Sequence, residues 1–175
     1  MTASTVKSAS ITGFDAQPVT LVPGSKLGNA MREYVETYEV ATTSIDEAGD
    51  IIRMIRIPSK LRISQILIYN DDLDGHGTPT LAADLGLYRP NGGAVLDADA
   101  FASAITTLQS ANTAGVNIAF EAQDIASLGK QAWEYCSGVT ADPGGHLDVA
   151  LTVTTGAATA AAGTVSMSVR GTLDN

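Results

Sequence analysis

The chain has 175 residues, a hydrophobic fraction of 45% and a formal net charge of −9. This length suits one domain, and no segment approaches the roughly 18 consecutive apolar residues of a membrane-spanning helix. The excess of acidic groups argues against nucleic acid as the main ligand, because phosphate binding depends on clustered lysine and arginine. We therefore expect neither nucleic acid nor a membrane among its partners.

The N-terminal segment differs from the rest in pattern and in charge. Residues 1–34 show no lasting period of 2 or 3.6 and are interrupted by proline and glycine, which predicts an extended arm. Residues 1–32 have a net charge of +2, whereas residues 33–175 have a net charge of −11. We therefore predict an arm over residues 1–34 and a β-sandwich domain over residues 35–175. The arm would either dock on an acidic surface, of a neighbouring copy or another protein, or remain a solvated tail.

Short segments with alternating or continuous apolar residues fill the rest of the chain and predict strands. The last two predicted strands are separated by GAATAAAG, which predicts a hairpin loop of small residues. The predicted strands span residues 34–41, 51–58, 62–70, 80–88, 117–122, 147–155 and 164–171.

Two other segments have helix-like spacing. DADAFASAI (97–105) predicts a short helix with Asp97 as its N-cap, and DIASLGKQAWEYC (124–136) predicts another with Asp124 as its cap. Seven or eight strands with frequent turn signals predict an all-β fold, an antiparallel sandwich of two sheets. A jelly roll is the most economical form of that sandwich.

Residue types used in catalysis are few. The two histidines, His76 and His146, lie in glycine-rich turns, and no serine lies in a nucleophile-elbow pattern. Cys136, the single cysteine, lies in an apolar stretch typical of a buried thiol. Carboxylate pairs for glycoside hydrolysis are possible among 19 acidic residues, but Trp133 is a poor sugar platform on a predicted buried stripe. We therefore expect no enzymatic activity and no cofactor, and we assign no catalytic, cofactor-binding or metal residue.

The stretch NDDLDGHG (70–77) is the strongest candidate for a metal site. Its first six letters match the start of an EF-hand loop, with Asn70, Asp72 and Asp74 at alternate positions. The twelfth position, where that loop needs a bidentate glutamate, is Leu81, and no helical pattern flanks the loop. We interpret the stretch as an acidic turn between strands, with a calcium site at Asp72 and Asp74 as the alternative.

Four of the seven basic groups beyond residue 32 cluster in IIRMIRIPSKLRI (51–63). This strip would either face an acidic partner surface or guard a strand edge against aggregation. Its members are Arg53, Arg56, Lys60 and Arg62.

Three stretches carry a resemblance to a known group: LIYNDDLDG, LGLYRPNGGAVLDADAFASAI and AWEYCSGVTADPGGHLDVALTVTT. Together they resemble small virion proteins of tailed bacteriophages that are encoded beside the major capsid protein. The similarity covers roughly residues 36–170 and leaves the arm unexplained. That group has no catalytic signature, so no site residue is transferred.

The resemblance implies a capsid cement or decoration protein that binds the outer capsid surface and stabilises contacts between capsomers. Its implied partners are the major capsid protein and further copies of itself, as a dimer or trimer. Its implied location is the capsid exterior, after assembly in the host bacterial cytoplasm. Two alternatives remain: a tail or head-fibre component, or a calcium-dependent glycan-binding module. A glycan hydrolase of the virion is a third.

Overall fold

A computed structural model describes residues 16–18 and 30–173 of the chain. Most of the predicted arm, residues 1–15 and 19–29, therefore lies outside the described residues. The first strand begins at Met31, so residues 31–34 lie in a sheet.

Eight strands account for about half of the described chain, and its helical segments are short 3-10 turns, so the all-β prediction is confirmed. None of these turns has the length and apolar character of a membrane-spanning helix. The turns span Thr42–Ser44, Thr107–Gln109, Ile125–Ser127 and Ala132–Tyr135. The strands are β1 (Met31–Val40), β2 (Ile51–Pro58), β3 (Arg62–Asn70), β4 (Ala82–Tyr88), β5 (Val95–Ile105), β6 (Asn112–Asn117), β7 (His146–Thr155) and β8 (Gly163–Thr172).

The strands form two antiparallel four-stranded sheets, which confirms the predicted sandwich. The first sheet has the order β1-β8-β3-β6 and the second has the order β2-β7-β4-β5. Strand β1 pairs with β8, β2 with β7, β3 with β6 and β4 with β5. The described chain is thus one long hairpin, with its turn between β4 and β5, wound so that its strand pairs alternate between the two sheets.

The core lies between the sheets and is made of aliphatic side chains from their inner faces. On β8, buried Val165, Met167 and Val169 alternate with more exposed Thr164 and Ser166. This period of two is what a strand with one buried face requires. Tyr135, in the long β6–β7 connection, packs its ring against that of Phe101 on β5, with the centroids 5.3 Å apart.

The helix predicted over residues 97–105 is wrong, because this segment is strand β5. Leu85 of β4 pairs with Ala102 of β5, whereas Leu87 pairs with Asp97. More residues of β5 than of β4 lie between these two pairs, so β5 forms a bulge. A bulge changes which side chains face inward, and it explains why the apolar residues of this segment have a helix-like spacing. Asp97 caps no helix; its carboxylate accepts the Ser137 backbone N–H.

Three other predictions need correction. The strand predicted over 117–122 lies earlier, at Asn112–Asn117. The loop GAATAAAG is not a hairpin, because β7 and β8 belong to different sheets and the loop crosses between them. The helix predicted over 124–136 is replaced by two 3-10 turns, at the first of which the Asp124 carboxylate accepts the Ala126 N–H at 2.7 Å.

Candidate functional site

The carboxylate of Asp74, in the acidic turn, is buried and surrounded by backbone donors. Its Oδ2 accepts the N–H groups of Thr80 at 2.7 Å and Leu81 at 3.0 Å, both within the β3–β4 connection. From the β7–β8 connection, Ala158 donates to Oδ2 at 3.0 Å and Thr159 donates to Oδ1 at 2.9 Å. One side chain therefore ties together two connections at the same end of the sandwich.

These four donors decide the charge of Asp74. Burial alone would raise the pKa of the carboxyl group, but the converging N–H groups stabilise the ionised form and hold its pKa well below the ordinary value of 3.8. A carboxylate whose oxygens already accept four N–H bonds has little capacity left to ligate a cation. Its neighbour Asp72 accepts the Asp74 backbone N–H at 3.1 Å, as in an Asx turn.

No group of three or more His, Cys, Asp or Glu side chains within residues 16–18 and 30–173 is arranged to hold a metal ion. The features that first suggested calcium thus have a structural explanation in the fold. The Asp-rich spacing of the turn supplies one buried anchor, Asp74, and one exposed turn residue, Asp72.

The remaining reactive side chains are not brought together. His76 is exposed in the β3–β4 connection, where its Nδ1 lies 3.1 Å from the Thr78 backbone nitrogen. His146 is exposed at the start of β7, at the opposite end of the sandwich. Cys136 is buried, and burial raises the pKa of its thiol to about 12, so it stays protonated and unreactive.

The predicted basic strip is occupied by intramolecular contacts. Arg53 and Arg56 both bind the buried carboxylate of Asp148, with Arg53 Nη1 at 3.2 Å from Oδ2 and Arg56 Nε at 2.6 Å from Oδ1. Lys60 pairs with Asp142 at 3.8 Å. Arg62 donates to the backbone carbonyl of Gly129. These side chains hold the fold together, so the strip is not a free cationic surface.

Three of the seven exposed large apolar side chains of the described chain lie on edge strand β1. Met31 is 65% exposed, Val35 is 64% exposed and Tyr38 is 46% exposed. Strand β1 pairs with β8 on one side, and within the described residues no strand pairs with its other side. A strand with an open edge is a site where a further strand can add.

On the outer face of the first sheet, β1 is fastened to β8 by a row of side-chain hydrogen bonds. Glu33 accepts from Ser168 at 2.7 Å and from Arg170 Nε at 2.8 Å. The Thr37 and Ser166 hydroxyls lie 2.8 Å apart, and further along Thr164 donates to Glu39 at 2.9 Å. These bonds direct Glu33 and Glu39 toward β8.

A groove of about 460 Å³ lies where the edges of β1 and β2 meet. Its apolar floor residues, Met54 and Ile55, are both buried because β2 bulges between Arg53 and Ile55. The complete lining consists of Glu36, Arg53, Met54, Ile55, Arg56 and Asp148. The wall arginines already bind Asp148, and the walls contain no nucleophile beside a base, so the groove has the chemistry of a contact surface rather than of a catalytic site.

No protein-family model matches the chain. No curated protein matches it either.

Structural comparison finds the same fold in two bacteriophage capsids. A chain of the cyanophage Pam1 capsid asymmetric unit is 20% identical, with a TM-score of 0.57 over 88% of this chain and 92% of that chain. A chain of the capsid of Ralstonia phage GP4 is 21% identical, with a TM-score of 0.59 over 83% of this chain and 86% of that chain. At these identities the similarity establishes a shared fold over nearly the whole described chain.

Proposed function

We propose that this chain is a structural protein of a bacteriophage virion, and specifically a cement or decoration protein of the capsid. It binds the outer surface of the shell and stabilises contacts between neighbouring capsomers. The observation that carries the proposal is the shared fold, which spans 92% of the Pam1 capsid chain and 86% of the GP4 capsid chain. Because the match covers almost all of both chains, it concerns a whole protein rather than one common motif.

The jelly-roll form of the sandwich belongs to this proposal. A jelly roll has eight strands in two sheets, joined by two Greek keys. The strand pairs β1–β8, β2–β7, β3–β6 and β4–β5, wound into the orders β1-β8-β3-β6 and β2-β7-β4-β5, support this topology. Such a body is a rigid block suited to repeated attachment on a shell.

The distribution of chemistry also favours a binding role over catalysis. The exposed histidines lie at opposite ends of the sandwich, the thiol is buried, and the basic side chains of β2 bind Asp148. The exposed features that remain are contact surfaces, above all the open edge of β1 with Met31 and Val35. Many weak contacts of this kind become effective when many copies bind one shell.

The proposed partners are the major capsid protein and further copies of this chain, with the N-terminal arm reaching a neighbouring subunit. The arm has a net positive charge and the body is acidic, so the arm suits an acidic surface. The proposed location is the capsid exterior, after assembly in the bacterial cytoplasm.

The first test is the protein's place and number in the virion. We expect mass spectrometry of purified phage to find hundreds of copies per particle, and cryo-electron microscopy to place them on the outside of the head. A few copies at the tail would instead favour the fibre alternative and would overturn the cement proposal.

A second test addresses the arm. Deleting residues 1–29 leaves β1 whole, because that strand begins at Met31. We expect the truncated chain to keep its circular dichroism spectrum and melting temperature but to lose binding to undecorated heads in co-sedimentation. Binding equal to that of the full chain would refute the role of the arm while leaving the virion location to the first test.

A further inference from the structure

Strand β1 differs from the other three edge strands in its lack of protection. Strand β2 has a bulge between Arg53 and Ile55 and ends at Pro58. Strand β5 shifts register repeatedly against β4, and β6 is only six residues long with a register shift of its own. Bulges, prolines and short length are the usual means by which proteins prevent edges from pairing.

None of these devices is present in β1. It pairs with β8 over ten consecutive positions without a register shift, and MREYVETYEV contains neither proline nor lysine. Two of its glutamates, Glu33 and Glu39, are held toward β8 by hydrogen bonds. Val35, at 64% exposure, lies between them on the same face. The strand is regular, exposes Val35 near its centre and, among the described residues, has no strand along its other side.

We infer that β1 pairs antiparallel with β1 of a second copy of this chain, about a twofold axis through Val35, so that two first sheets join into one of eight strands. This inference concerns the purified chain and does not rest on the virion role. It also specifies a register, because a twofold axis at Val35 fixes which residues are opposite each other.

Charge argues against the adjacent register, in which the axis passes through Glu36. With the axis at Val35, Val35 faces its own counterpart, Glu33 faces the partner's Thr37 and Tyr34 faces the partner's Glu36. Moving the axis one residue to Glu36 would set that glutamate against itself and Glu33 against the partner's Glu39. Like charges directly opposite each other destabilise a strand pair, whereas apolar pairs stabilise it.

The same register places the remaining long side chains of β1 against suitable partners. Arg32 faces the partner's Tyr38, an arrangement that permits contact between a guanidinium group and an aromatic ring. Met31 faces the partner's Glu39, along whose aliphatic stem it can pack. The strand is therefore self-complementary in this register, as an isologous interface must be.

Two substitutions in the full-length chain test the interface. Val35→Lys places two lysines opposite each other at the axis, so we expect the mass in light scattering to fall from twice the 18.0 kDa of one chain to that value. Thr37→Lys places its lysine opposite the partner's Glu33, so the dimer should persist. Val95→Lys alters another exposed valine, on guarded edge β5, and should also leave the dimer unchanged.

Cysteine cross-linking tests the register. Paired residues across an antiparallel ladder have Cα atoms about 4.5–5.5 Å apart, within the range of a disulfide. Under mild oxidation Val35→Cys should cross-link to its own counterpart, whereas Thr37→Cys, offset from its counterpart by four positions, should not. The native Cys136 does not interfere because it is buried.

Three outcomes would overturn the inference. They are a monomeric wild-type chain, as expected if a strand of a different protein covers β1; an oligomer whose mass is unaffected by Val35→Lys; and equal cross-linking at positions 35 and 37. The virion proposal would survive each of them.

Discussion

The carboxylate of Asp74 accepts the backbone N–H of Thr159, 85 positions further along the chain, at 2.9 Å. This bond and its three companions join the connections that lead into β4 and β8, one strand of each sheet. The most suggestive acidic motif of the sequence is therefore an internal anchor of the sandwich.

Replacing this anchor should destabilise the protein strongly. In Asp74→Asn one oxygen becomes an NH₂ group that faces N–H donors, so at least one buried donor loses its acceptor. We expect the free energy of unfolding to fall by about 3 kcal/mol and the melting temperature by about 10 °C. The matched control, Asp72→Asn, changes an exposed residue whose acceptor oxygen is kept and should stay within about 0.5 kcal/mol of wild type. Equal losses in the two variants, measured by urea denaturation, would contradict this account.

Stability should also fall in acid, and Asp74 should contribute to the fall. Its folded-state pKa lies below the unfolded-state value near 3.8, so its contribution is present above that pH and disappears as the pH falls toward the folded-state pKa. Between about pH 5 and about pH 3, the free energy of unfolding should drop more steeply in wild type than in Asp74→Asn. Parallel curves would show that folding does not lower the pKa of the Asp74 carboxyl group.

Calcium should not stabilise the chain. The oxygens of Asp74 are already occupied by N–H donors, and Oδ2 of the neighbouring Asp71 accepts the Thr164 N–H at 2.9 Å, so Asp72 has no fully free carboxylate beside it in the turn. We expect millimolar calcium to shift the melting temperature by less than about 1 °C. The informative variant is Asp72→Ala, because replacing Asp74 lowers stability with or without metal. A calcium-dependent rise that disappears in Asp72→Ala would restore the metal-site alternative.

Gly86 should not tolerate a side chain. A Cβ atom at this position would collide with the backbone carbonyl of Asp97, where the bulged strand β5 crosses close to β4. Because backbone must move to make room, we expect Gly86→Ala to destabilise the fold by about 3 kcal/mol. Gly77→Ala is the control, since a Cβ there meets no atom within 4 Å. Thermal denaturation of both variants measures the difference, and a fully stable Gly86→Ala would mean that β5 can shift freely.

The two arginines that bind Asp148 should contribute unequally. Arg53 also donates to the carbonyls of Arg89 at 2.7 Å and Gly93 at 2.6 Å, and its guanidinium group lies 4.9 Å from the centre of the Tyr88 ring. We expect Arg53→Ala to lower the free energy of unfolding by about 2 kcal/mol.

Arg56 is more exposed and makes fewer contacts besides Asp148, so its replacement by alanine should destabilise the protein less than Arg53→Ala. Chemical denaturation gives this order directly. Combining each change with Asp148→Ala in a double-mutant cycle isolates the two pairings. A larger effect at Arg56 would show that the contacts to the β4–β5 turn contribute little.

Several elements could be read from the chain because their signals are local. Strands β2 and β3 have the predicted bounds, β7 begins one residue earlier than predicted, and β8 extends one residue further at each end. Alternation, β-branched residues and turn residues act within a few positions, so they are visible without a structure. The sequence of edge strand β1, MREYVETYEV, predicts a strand less clearly, because neither of its faces is consistently apolar.

The errors arose where a distant segment overrides local spacing. Residues 97–105 have helical spacing only because β5 bulges over Gly86, a contact between different strands. The small residues of the loop GAATAAAG predicted a hairpin. Strand β8 instead pairs with β1 and β3, so the loop crosses from one sheet to the other. Strand pairing is non-local, and short-range pattern contains little information about it.

The sequence by itself determined an all-β chain with an acidic body, a differently charged N-terminal segment and few residues suited to catalysis, because composition and period are properties of the chain alone. Only the tertiary structure decided that Asp74 is a buried anchor, that the arginines of β2 bind Asp148, and that β1 is the open edge. These roles depend on which distant groups meet. Hydrogen bonds and burial between segments some 80 positions apart are set by the winding of the whole chain rather than by any local pattern.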